Sequence, residues 1–121
     1  MFVQSVEDVL TELFEEHERQ WIRLHSLGAL DWQSFPWPLF TSPRGPDDLT
    51  PSAIRTYIQW PQHALDERRV RRNRIKKHIR RWHHDFFETT LLPKVREDDR
   101  ERIMAGRATV VSVALSLLRS Q

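Results

Sequence analysis

Apolar residues at Val3, Val6, Leu10 and Leu13, resumed at Leu24 and Leu27, recur at intervals of three and four. That is the period of a helix with one apolar face. The stripe passes through His17 and then Gln20 or Trp21. Ser5 is a good N-cap, with Glu7 and Asp8 in the first turn where acid complements the helix dipole. The pattern predicts a long helix over Val6 to Leu27, stopped by Gly28. The stripe reads as a core-facing surface. A partner or homodimer seam is the alternative, although clean heptads run short of what a coiled coil needs.

The period then disappears. Between Ala29 and Leu49 stand Trp32, Phe35, Trp37 and Phe40, with prolines at 36, 38, 43 and 46. Those prolines exclude helix and central strand. Phe35 to Phe40 should lie extended across helices with its rings buried, and Thr41 to Asp48 should be a surface loop. Thr50-Pro51 opens a short helix whose apolar face is Ile54, Tyr57 and Ile58, and Pro61 ends it. From about Asp66 to Trp82 a third helix carries the stripe Ile75, Ile79, Trp82 and Phe86, with Val70 and Asn73 beside it. A helical stretch weakened by Pro93 follows over Glu88 to Val95. The last helix spans about Asp98 to Leu118, with acid in its first turn and Ile103, Val110, Ala114 and Leu117 facing inward, joined by Val113 and Leu118. No strand alternation is visible, nor any internal repeat.

These elements predict an all-α single domain of four to five helices over 1–121. It divides into a long first helix (1–28), a Pro/aromatic extended segment and loop (29–49) and a helical region (50–121). The expected core is Leu10, Leu13, Phe14, Trp37, Ile54, Ile58, Ile75, Ile79, Trp82, Phe86, Val110 and Leu117. Five Trp and six Phe argue against disorder. Without cysteine, disulfides, thiolate catalysis and Cys-based zinc sites are excluded, which fits an intracellular protein, cytoplasmic or nuclear. No window is apolar enough for a membrane span, and acid from Glu7 onward does not read as a signal peptide.

Charge is unevenly placed along the chain. The net charge is only +2, yet nine Lys or Arg and no acid fall between Arg68 and Arg81, leaving ten basic and seventeen acidic residues elsewhere. Such a dipolar chain steers acidic partners toward one helix. The candidate partner-binding residues are Arg68, Arg69, Arg71, Arg72, Arg74, Lys76, Lys77, Arg80 and Arg81, with His83, His84 and Asp85 at the helix end. An acidic protein surface is the expected partner. Nucleic acid is the alternative, because each neutralised phosphate releases counterions. The same basic string has the composition of a nuclear address.

Other chemistry finds less support. His78, His83, His84 and Asp85 include no clean i, i+4 ligand pair, and the surrounding charge repels cations, so no metal is expected. Gly28, Gly45 and Gly106 build no phosphate loop, and no cofactor is implied. No nucleophile can be placed beside a His83–Asp85 relay. Acid–base work by His84 or Asp85 stays open, and the reading is non-enzymatic. His17, His25 and His63 read as isolated surface or half-buried residues.

Arg80-Arg81-Trp82-His83-His84-Asp85-Phe86-Phe87 resembles a degenerate J-domain motif, in which a basic helix ends in His-Pro-Asp before a loop and another helix. The form Arg-Trp-His-Pro-Asp-Lys/Arg-Phe occurs in NF-kappa-B-inhibitor-like proteins and in a group of fungal proteins. The fungal group also carries segments similar to Phe35-Pro36-Trp37-Pro38-Leu39, to Leu49-Thr50-Pro51-Ser52-Ala53-Ile54 and to Lys94-Val95-Arg96-Glu97-Asp98-Asp99-Arg100-Glu101. In order and spacing the resemblance covers about Leu30 to Leu118. It implies a J-like helical hairpin whose basic helix and tripeptide dock on an acidic surface of the heat-shock ATPase. Here His84 replaces the proline and Phe86 replaces a cation. The expectation is a retained scaffold with a relaxed turn rather than a working co-chaperone.

Overall fold

Side-chain caps start the first two helices where the sequence places them. The Ser5 hydroxyl accepts the Asp8 N–H at 3.1 Å, opening α1 (Val6–Leu24), and Thr50 Oγ1 accepts from Ala53, opening α2 (Pro51–Gln59). The computed structural model describes residues 5–61 and 67–120. Three further helices follow: α3 (Arg68–Trp82), α4 (His84–Thr90) and α5 (Glu97–Arg119). Single 3-10 turns stand at Trp32–Ser34, Pro46–Asp48 and Leu92–Lys94. The protein is thus a small all-α domain with no strand among the described residues. The predicted positions Val3 and Asp66 lie outside those residues.

An aromatic column fills the centre. The Trp37 ring stacks on Trp32 at 4.4 Å on one side and on Trp82 at 4.8 Å on the other. Trp21 meets Trp82 edge-on at 4.9 Å, and Phe87 lies nearly parallel to it at 5.8 Å. Each such pair adds about 0.5–1.5 kcal/mol beyond burial. Phe35, Trp37 and Leu39 are all buried, so the Pro-rich segment is part of the core. Its polar groups are satisfied locally: Trp32 Nε1 donates to the Pro43 carbonyl and Trp37 Nε1 to the Trp32 carbonyl. Ile103, Val110, Val113, Ala114 and Leu117 of α5 bury the predicted face. Gly106 lets α5 approach closely, since a Cβ there would stand 2.7 Å from Leu49 Cδ1 and 2.9 Å from the Trp37 ring.

The structure corrects four expectations. First, α1 ends at Leu24 rather than Leu27, and Leu27 is exposed. The His25, Ser26 and Leu27 N–H groups close the last turn by donating to the Arg23 carbonyl, and Lys94 Nζ donates to the freed Leu24 carbonyl at 2.8 Å. Second, the first turn of α1 stands clear of the core, and the second packs only at its edge through Leu10. Val6 is 71% exposed, and Leu10 and Leu13 are only half-buried, because continuous packing begins at Phe14. Third, Phe86 is exposed and Phe87 is fully buried. Helix α3 stops at Trp82, and His83 is extended (φ −61°, ψ 138°), which resets the helical phase before the next turn. Fourth, the helix placed at Glu88–Val95 begins at His84, leaving His83 as the entire α3–α4 connection, and ends before Pro93. The turn expected to relax with histidine in place of proline is tight.

Residues 30 and 95 add an unforeseen link. Leu30 and Val95 form an isolated parallel bridge, with Leu30 N–H donating to the Lys94 carbonyl and Arg96 N–H to the Leu30 carbonyl, each at 2.8 Å.

Candidate functional site

Helix α3 presents its buried stripe, Ile75, His78 and Trp82, to the core, with Ile79 only half-buried. The nine cations therefore divide onto the two flanks of that stripe, and the flanks differ.

The inner flank is engaged. Arg81 forms a bidentate pair with Glu18 of α1, at 2.8 and 2.5 Å, and its guanidinium lies 5.2 Å from the Trp21 ring centre. Lys77 reaches the same carboxylate at 3.0 Å. These contacts, the Arg81 hydrogen bond first, hold the Glu18 carboxyl down at about 2. Arg74 turns to α2, where Nε and a terminal nitrogen donate to the Ile58 and Trp60 carbonyls at 3.1 and 3.3 Å. A cation there satisfies carbonyls that the helix end leaves open. Arg71 is half-buried and is likewise not free.

The outer flank has no such role. Arg68, Arg72, Lys76 and Arg80 recur every fourth residue, with Arg69 beside them, and make no ion pair among the described residues. At about 1.5 Å per residue this row is roughly 18 Å long. Its C-terminal end meets a shallow hollow lined by Arg80, Arg81, His83, Asp85 and Phe86, where Phe86 is 39% exposed. Apolar surface beside cations is the composition of a protein-binding patch more than of a phosphate-binding one.

A separate cleft of about 410 Å³ lies between α1 and α3, lined in part by Glu18, Tyr57, Lys77, His78 and Arg81. Glu18 pairs with two of its cations, Lys77 and Arg81, whereas Arg80, which also lines it, makes no ion pair among the described residues. His78 is 8% exposed and its Nδ1 has no hydrogen-bond partner. Burial first, and Arg81 next, push its pKa down to about 3, so the ring is neutral. Nearby, the His17 Nδ1 and Tyr57 hydroxyl are 2.7 Å apart; burial lowers the His17 pKa and raises that of Tyr57. His63 lies outside the described residues.

At the α3–α4 junction His83 caps α4, its Nδ1 accepting the Asp85 N–H at 3.3 Å. His84 Nε2 lies 3.1 Å from Asp85 Oδ1, and His83 Nδ1 lies 3.8 Å from Asp85 Oδ2. Three groups that the sequence left without ligand spacing are thus drawn together, with one donor atom from each within 4.8 Å of the others. His78, fully turned into the core, is not among them. The sequence could not separate engaged from free cations, because Glu18 lies 59 residues from Lys77 and 63 from Arg81. Among the described residues no helix is long and apolar enough to cross a membrane. Set against models of known protein families, characterised proteins and solved structures, the chain matches none of them.

Proposed function

We propose that this chain is a non-enzymatic interaction module that binds an acidic protein surface through the outer flank of α3. The observation that carries this reading is the row Arg68, Arg72, Lys76 and Arg80, exposed or half-exposed and without ion pairs among the described residues. Unneutralised cations aligned on one rigid helix raise the local concentration of an acidic partner and its on-rate. Phe86 supplies an apolar anchor at the end of the row, where a partner side chain loses water.

The test compares the wild-type chain with Arg72→Glu/Lys76→Glu/Arg80→Glu in a nuclease-treated pull-down, with circular dichroism to verify folding. Proteins recovered by the wild type and lost on charge reversal support the reading. An unchanged set refutes it.

Nucleic acid is the second reading, favoured by the length and regularity of the same row. Five phosphate contacts would give a slope of log affinity against log salt of about −4.5 on duplex DNA. A third reading rests on the resemblance to J domains. His83 holds the extended conformation that a following proline would impose, and His84 is the first helical residue, where proline is favoured. The corresponding assay is stimulation of a heat-shock ATPase, lost in Asp85→Asn.

A further inference from the structure

We propose that His83, His84 and Asp85 form a surface site for a divalent transition-metal ion of the imidazole-preferring kind, such as Zn²⁺, Ni²⁺ or Cu²⁺. The donor set and its spacing define this site, whatever the basic face of α3 binds.

Ligand atoms bound at about 2.0–2.2 Å to one ion stand roughly 3.0–3.4 Å apart for angles between octahedral and tetrahedral. His84 Nε2 and Asp85 Oδ1 are separated by 3.1 Å, within that range. His83 Nδ1 and Asp85 Oδ2, at 3.8 Å, need a movement of under an ångström, which exposed side chains make freely. The two imidazole rings are 4.6 Å apart between centres. The His83 Nδ1 lone pair accepts the Asp85 N–H at 3.3 Å, so that nitrogen is unprotonated, and an ion bound to it would replace this long cap bond.

The backbone explains why three consecutive residues converge. In a continuous helix their side chains would fan out about 100° apart. The extended His83, at ψ 138°, interrupts the helix and folds its ring back over the first turn of α4. Two imidazoles and one carboxylate suit borderline metals; Ca²⁺ and Mg²⁺ prefer all-oxygen sets. Of the adjacent cations, Arg81 is paired with Glu18, and Arg80 remains as an opposing charge that the Asp85 carboxylate must offset. The exposure of His84 and Asp85 leaves the remaining coordination positions to water.

The experiment is a calorimetric titration of the full chain with Zn²⁺ in a non-chelating buffer, paralleled by NMR line broadening of histidine ring protons with Cu²⁺. The wild type should bind one equivalent, broadening His83 and His84 first. His84→Ala and Asp85→Asn should each weaken binding at least about tenfold. His25→Ala, which removes another exposed imidazole, should leave it unchanged. Both test positions are exposed, and unaltered circular dichroism separates loss of a ligand from loss of fold. The proposal is overturned if the wild type shows no saturable binding below about a millimolar ion. It is equally overturned if His84→Ala and Asp85→Asn bind as the wild type does, or if His25→Ala is the variant that abolishes binding.

Discussion

Arg80 and Arg81 are the same side chain one residue apart, yet they belong to different parts of the molecule's physics. Arg81 is 18% exposed, paired in bidentate fashion with Glu18 and laid over Trp21. Arg80 faces solvent among cations that nothing described neutralises. Turning 100° about the helix axis separates a residue that fastens α1 to α3 from one that the fold leaves without an ion pair. A dense charge run is therefore not one site: part of it ties helices together, and part is left unneutralised among the described residues.

The largest expected effect concerns the buried stripe between the two flanks. His78 is neutral in the folded chain down to about pH 3, whereas an unfolded histidine takes its proton near 6.5. Its contribution to stability is complete above 6.5 and is lost as pH falls below that value, at about 1.4 kcal/mol per unit. Chemical denaturation should show the protein about 2 kcal/mol less stable at pH 5 than at pH 7. His78→Leu should flatten most of that slope, leaving a smaller residue from His17. A wild-type profile level between pH 5 and 7 would remove His78 from the account.

Arg81→Ala should destabilise by about 1–2 kcal/mol, through a lost charge-assisted pair and lost cover of Trp21. Arg80→Ala should change stability by less than about 0.5 kcal/mol. Equal effects in urea titrations would erase the distinction between the flanks.

The smallest stabilising effect is expected at the junction. His84 occupies the first position of α4, after a residue already extended. His84→Pro should therefore gain about 0.4–1 kcal/mol by restricting the unfolded chain. A loss of that size in thermal unfolding would mean that the His84 N–H has a partner that proline removes.

Much of this fold was legible where structure is local. The Ser5 and Thr50 caps, the α5 stripe and the burial of Phe35 and Trp37 follow from neighbouring residues and from period. The errors arose where a period was carried across a break. Counting four from Trp82 gives Phe86, but the count runs through His83, whose extended backbone rotates the next turn and presents Phe87 instead. In the same way, counting from Leu24 gives Leu27, but the backbone turns at Arg23 before that residue, and Lys94 takes up the Leu24 carbonyl this leaves open by donating to it. The candidate site was legible as a list of cations and as a His-His-Asp string. Its division into two flanks depends on Glu18, and its convergence at Asp85 depends on one residue's ψ. Neither can be read from spacing within the run.

The way α1 is fastened sets a timetable. Its acceptor Glu18 waits for Lys77 and Arg81, and its last carbonyls wait for Lys94, 70 residues downstream. A ribosome adding roughly 5–20 residues per second would hold α1 without these partners for several seconds. During that interval Phe14 and His17 can already meet Phe40 and Tyr57, while Trp21 still lacks Trp82 and Leu24 its Lys94 contact.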